Sequence, residues 1–280
     1  MQEVAIIGAG ELGGAVAHVL ARRDIARLIR LVDDTGQVAA GKALDIAQAA
    51  PVEGFATQLT ASAEIETAAG ASAIIVADRV GGGEWQSDQA VQLVRRLMRM
   101  APRAVVICAG ASQREVVEDA VREMHLERRR VLGSAPEALA ASARALVALA
   151  LNGSPREVAL TVLGVPPASI VIPWEEATVG GLALTRLLDQ PTRRRVAARV
   201  TASWPPGPHA LAAAATAVVD AIAGRSRRML SCFVGPDMAA GERTRTAALP
   251  VRFDADGIRD VVMPTLTVVE RVALENAMTL

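Results

Sequence analysis

Between Val4 and Asp33 the chain runs from a short apolar stretch, through Gly8-Ala9-Gly10-Glu11-Leu12-Gly13, to a second apolar stretch that ends on an acid. This order predicts a strand, a glycine turn, a helix and a second strand, with Asp33 lying 25 residues past Gly8. Each part has a physical role. Gly8 suits the tight turn, Gly10 lets a pyrophosphate approach the backbone, and Gly13 lets the helix pack closely on the strand. The helix N-terminus offers free N–H groups and partial positive charge to phosphates. Glu11 and Leu12 on that first turn, and Ala77 at the end of a later apolar run, complete the expected binding set. Asp33 can accept hydrogen bonds from both ribose hydroxyls of an adenosine, which favours NAD and repels the extra phosphate of NADP.

At 280 residues, 51% of them apolar, the chain is long enough for one large α/β unit or two packed domains. Tyr is absent and Phe and Trp number three each, so the core must be built from Ala, Val, Leu and Ile. Lys42 is the only lysine; every other basic residue is Arg. Acids and bases balance at 30 each, which argues against a general nucleic-acid or membrane partner. Cys108 and Cys232 sit far apart inside apolar runs and read as buried free thiols rather than metal ligands. The first strand starts too early to leave room for a signal peptide, and no stretch offers eighteen unbroken apolar residues. A soluble, cytoplasmic protein is the expectation.

Strand-like runs at 4–7, 28–32, 57–60, 73–77, 104–108 and 131–133 alternate with helical patterns at 13–23, 41–50, 87–100 and 114–124. This alternation predicts a Rossmann-type, doubly wound parallel sheet over residues 1–134 that binds NAD. Residues 135–280 are expected to form an α+β C-terminal domain. Its predicted helices lie at 137–149, 185–188, 193–202, 209–223 and 267–278, and its strands near 158–163, 170–172, 229–234 and 249–253. Trp204-Pro205-Pro206-Gly207-Pro208 marks a rigid break between two of those helices.

Several separated motifs, in order along nearly the whole chain, resemble the lactate/malate dehydrogenase family, and bacterial malate dehydrogenases most. Residues 41–55, from Gly41 through Phe55, resemble the malate enzymes' subunit-interface helix almost letter for letter. Ala177-Thr178-Val179-Gly180-Gly181, followed by Leu184-Thr185-Arg186-Leu187-Leu188, matches the family's mid-domain motif; Pro250-Val251-Arg252-Phe253 and Gly257 match its C-terminal hairpin. The resemblance implies NAD as cofactor and a homodimer or higher homo-oligomer assembled through the Gly41–Phe55 helix. Apolar positions at Ala43, Leu44, Ile46, Ala47 and Ala50 suit a packed face there.

The family's chemistry needs two lid arginines, a fixed arginine for the substrate carboxylate, a histidine base, an aspartate that orients it, and an asparagine. This chain departs at every one. Gly81 and Ser87 stand where the lid arginines belong, and Ala111 where the asparagine does. Leu139 replaces the aspartate, Ser142 the fixed arginine and Pro166 the histidine. Val94 stands where the family places an asparagine near the cofactor. The run Gly81-Gly82-Gly83 reads as a flexible lid without its arginines, since no P-loop Lys-Ser/Thr follows. Arg144 falls two residues past Ser142, a turn of about 200° away from the pocket on a helix. The remaining catalytic candidates are His209, at the start of a helix that borders the family's active site, and Arg79, near the lid. The reading is a family member that keeps NAD(H) binding and assembly but has lost hydroxy-acid dehydrogenase chemistry. The alternative is an active NAD-dependent oxidoreductase with relocated catalytic groups or another substrate.

Overall fold

A computed structural model describes residues 1–238 and 245–279. The first half contains β1 (Glu3–Ile7), α1 (Glu11–Arg22), β2 (Leu28–Val32), α2 (Gly36–Glu53), β3 (Gln58–Ser62) and β4 (Ala73–Val76). It continues through a two-stranded hairpin, β5 (Asp78–Arg79) and β6 (Gly83–Glu84), to α3 (Ser87–Met100), β7 (Val105–Cys108), α4 (Arg114–Arg122) and β8 (Val131–Gly133). The second half opens with α5 (Ala135–Leu151), followed by β9 (Val158–Ala159), β10 (Leu163–Val165), β11 (Ser169–Val171), β12 (Thr178–Val179) and β13 (Leu182–Ala183). Helices α6 (Leu184–Leu187), α7 (Gln190–Ala202) and α8 (Pro208–Ile222) precede β14 (Leu230–Val234), β15 (Ala247–Asp254), β16 (Gly257–Val261) and α9 (Val268–Thr279).

Strands β3-β2-β1-β4-β7-β8 lie side by side and parallel, wound outward in both directions from β1 as the sequence pattern predicts. Side chains of a strand alternate between faces. Val4 and Ile6 join Val16 and Leu20 of α1 and Val218 of α8 on one face, while Ala5 and Ile7 join Val94 and Leu97 of α3 and Val117 of α4 on the other. The sheet does not stop at β8: β14 pairs with it antiparallel, and β15, β10 and β11 extend the same sheet, with β16 on β15. Ser134 alone links β8 to α5, and hydrogen bonding of the sheet continues from β8 to β14.

The strand expected at 158–163 is split. β9 belongs to a small sheet with β12 and β13, and β10 starts only at Leu163. Between them the Val162 N–H donates to Ser231 Oγ (2.9 Å) rather than to a strand neighbour, so the ladder is interrupted where the chain changes sheets. Not all of the apolar residues expected on the contact face of α2 point outward. Ala43 and Ile46 are buried within the chain itself, whereas Leu44 is 60% exposed. An outward face must therefore be centred on Leu44 and the partly exposed Ala47. Cys108 and Cys232 are buried and free, and burial pushes the Cys108 thiol up to about 12. Among the described residues no helix is long and apolar enough to cross a membrane.

Candidate functional site

The chain leaves β1 for β2 and β3 on one side and returns to β4 on the other, so a crevice opens between the carboxyl ends of β1 and β4. The glycine turn lines it. A methyl group at Gly13 would overlap the Gly8 carbonyl oxygen, so α1 packs on β1 as closely as expected. The N-terminus of α1 is not open. Asp78 Oδ1 accepts the Gly13 N–H (2.9 Å), its Oδ2 accepts the Leu12 N–H (3.2 Å), and its carbonyl accepts the Gly10 N–H (2.9 Å). First-turn N–H groups have no acceptor within their own helix, and a carboxylate there also meets the positive end of the helix dipole. The expectation of free N–H groups for phosphates is thus corrected: this chain's own carboxylate takes them. The room left by the missing side chain of Gly10 holds that same carboxylate.

Asp78 is held in place by the hairpin β5–β6. Gly81 (φ 67°) and Gly83 (φ 69°) occupy left-handed backbone conformations that favour glycine, so the glycine run forms the turn of this hairpin. Asp78 lies directly across the hairpin from Glu84. Glu84 in turn covers the loop after β7: Oε1 accepts the Ala111 N–H (3.0 Å), and Oε2 accepts the Ser112 N–H (2.8 Å) and the Ser112 hydroxyl. Like charges directly opposite in a hairpin repel. Here the backbone donors of two other segments offset that repulsion.

Asp33 ends β2 as expected and is 6% exposed. Its Oδ2 accepts N–H groups from Ala9 (2.8 Å) and Val80 (3.0 Å), and Oδ1 accepts that of Thr35 (2.9 Å). Burial raises its pKa, but the backbone bonds from Ala9, Thr35 and Val80 outweigh burial and hold the carboxyl below its usual range. A depressed carboxyl stabilises the fold above its unfolded pKa of about 3.9, and that contribution is lost as pH falls through the lower folded value. Asp33→Asn should therefore flatten the acid limb of stability in urea melts between about pH 2 and 5. An unchanged limb would show that those bonds do not hold Asp33.

No known family profile matches the chain. Curated relatives do. Malate dehydrogenase of Thermomicrobium roseum is 29% identical over 297 residues, spanning 99% of this chain and 94% of that protein. L-lactate dehydrogenase of Allorhizobium ampelinum is 27% identical over 298 residues, spanning 98% and 96%. The solved malate dehydrogenase of Salinibacter ruber has the same fold, with a TM-score of 0.87 at 23% identity over 99% of this chain and 94% of that one. Over nearly its whole length the chain is similar to malate and lactate dehydrogenases and shares their fold.

Of the positions that depart from the family's pattern, Leu139, Val94 and Ser142 have apolar or neutral surroundings. Leu139 is fully buried in an apolar cluster, and Val94 likewise. Ser142 Oγ lies 3.1 Å from Ser203 Oγ, a neutral pair. Pro166 is buried at the end of β10. Arg144 turns away as expected: it pairs with buried Glu137, donates to Leu160 O (3.3 Å), and supplies no substrate anchor.

The two catalytic candidates are not brought together. Arg79 stacks on Trp85, 4.7 Å from the ring centroid, and lines a cavity of about 400 Å³ with Asp33, Glu64 and Arg96. His209 is exposed in a different groove of about 630 Å³, beside His18, Lys42 and Asp45. Glu11 also lines that groove. Ala77 is buried behind the crevice, its N–H bonded to Ile7 O (2.9 Å). Sequence reasoning missed Lys42, whose Nζ donates to Gly10 O (2.6 Å) and ties α2 to the glycine turn. It also missed Asp78 and Glu84. The available signal was two acids flanking a glycine run directly after a buried strand. Among the described residues no group of three or more His, Cys, Asp or Glu side chains could hold a metal ion.

The family resemblance implies NAD, and the residues present fit it only in part. Asp33 stands at the carboxyl end of β2, with both oxygens already accepting backbone N–H groups. The pyrophosphate does not fit while Asp78 is bonded to Leu12 and Gly13, because both anions need the same N–H groups.

Proposed function

We propose that this chain is a divergent malate/lactate dehydrogenase-family protein that keeps the family's nucleotide fold and assembly surface and has lost 2-hydroxy-acid dehydrogenase chemistry. The observation that carries this reading is the surroundings of Ser142: its hydroxyl meets only another hydroxyl, Ser203, where a substrate carboxylate would need a cation. Buried Pro166 and Leu139 supply neither a base nor its orienter. Separation of His209 from Arg79 counts against relocated chemistry. Residues 1–134 are read as the nucleotide-binding domain and 135–280 as the α+β domain, in a cytoplasmic protein. Its ligand in this reading is NAD(H), preferred over NADP(H) through Asp33. The direct test is NADH absorbance with oxaloacetate or pyruvate, and turnover in the usual enzyme range of about 1 to 10³ per second would refute the reading.

Assembly is the second part of the proposal: a homodimer or higher homo-oligomer with α2 against a second copy of the chain. Leu44, 60% exposed, is the apolar side chain such a contact would cover. Leu44→Glu should shift the protein from dimer or larger species to monomer in sedimentation at micromolar concentration. A monomeric wild type would sink this part.

A further inference from the structure

We infer that the hairpin β5–β6 is a built-in occupant of the dinucleotide crevice, with the Asp78 carboxylate seated where a pyrophosphate would bind. The inference rests on the family reading of the crevice, but not on the loss of turnover. Three observations converge on it. Asp78 bonds the Leu12 and Gly13 N–H groups in the first turn of α1 and fills the space beside Gly10. Its cross-strand neighbour Glu84 takes the Ala111 and Ser112 N–H groups in the loop after β7, so one hairpin covers both walls. The Val80 N–H, between them, bonds Asp33 at the ribose end of the crevice.

Charge makes the occupancy exclusive. A pyrophosphate approaching Leu12 and Gly13 meets a carboxylate already bonded there, so a dinucleotide enters only when the hairpin leaves. The hairpin is short enough to leave. It has two residues per strand, and a two-stranded hairpin alone is at best marginally stable in water. Its seat therefore depends on the donors it borrows from α1 and from the loop after β7. Apparent affinity for a dinucleotide falls by the fraction of molecules with the crevice open. Removing the Asp78 carboxylate both raises that fraction and removes the competing charge.

The test is calorimetric titration of NADH into wild type, Asp78→Ala, Asp78→Asn and the double variant Asp78→Ala/Glu84→Ala. Asp78→Ala should bind NADH at least about tenfold more tightly than wild type, a difference of about 1.4 kcal/mol. The double variant should bind at least as tightly. Asp78→Asn preserves the side-chain shape and guards against a variant that fails to fold; it should gain affinity by losing the charge. Amide hydrogen exchange on the wild type needs no variant: Leu12 and Gly13 should be protected, although first-turn amides lack an acceptor within the helix. Equal NADH affinity across all four proteins, or no binding by any of them, overturns the inference. So does exchange at Leu12 and Gly13 as fast as at exposed amides. An active wild type would refute the loss of turnover instead, and the two failures are told apart by their separate readouts.

Discussion

Purified protein should give no turnover above background with NADH and oxaloacetate or pyruvate, or with NAD⁺ and L-malate or L-lactate. Hydride leaving a hydroxy acid requires the hydroxyl proton to leave too, and Pro166 cannot accept it. General acid–base catalysis contributes about 10² to 10⁴ in rate, and one preorganised donor to a developing oxyanion about 10² to 10³. Such losses do not multiply cleanly. Even so, carbonyl polarisation, proton transfer and carboxylate anchoring are all absent from the family positions, where Gly81, Pro166 and Ser142 stand. Pro166→His should therefore restore little. Its natural partner position is Leu139, which is fully buried among apolar side chains. Leu139→Asp would bury a charge with no established partner and destabilise the fold, so the pair cannot be rebuilt without remodelling α5. Asp78→Ala should stay inactive as well, because opening the crevice supplies no base. The assay is NADH absorbance on protein free of host dehydrogenase, and wild-type turnover of about 1 to 10³ per second would refute the expectation.

The parts legible in the sequence are those set by local pattern. The run from Val4 to Asp33 has the periodicity of a strand, a helix and a strand, and β2, β8 and α3 begin and end where the apolar pattern does. Gly13 was legible because its role, contact with Gly8 one turn away, is local. What occupies the crevice was not. Asp78 meets Leu12 and Gly13 across 66 and 65 residues, and Glu84 meets Ser112 across 28. Hydrophobic periodicity carries no information about which loop donor an acid will find at such range. The outward face of α2 was legible only in part. Its apolar residues cover more than one face, and only the packing of α2 assigns Ala43 and Ile46 to the chain's own core while leaving Leu44 outside. The same limit applied to Arg144: helical geometry turned it away from Ser142, but nothing local named Glu137 as its partner.

Arg144→Met should destabilise the fold by about 3 to 5 kcal/mol, the usual consequence of removing one member of a buried ion pair. The side chains of Arg144 and Glu137 are only 11% and 6% exposed. Glu137 Oε2 accepts the Ser231 N–H (2.9 Å) on β14, and Arg144 reaches Leu160 O (3.3 Å) in the segment between β9 and β10. The pair thus joins α5 to both sides of the place where the chain changes sheets. Methionine keeps the apolar length of the arginine stem but leaves the Glu137 carboxylate buried without its cation. Replacing both members by apolar residues of similar volume is often far less costly than breaking the pair. Glu137→Leu/Arg144→Met should accordingly lose less stability than Arg144→Met alone, with some of the remaining loss coming from the unbonded Ser231 N–H. Urea denaturation of wild type and the two variants measures both differences. Arg144→Met losing less than about 1 kcal/mol would mean the pair has no structural role.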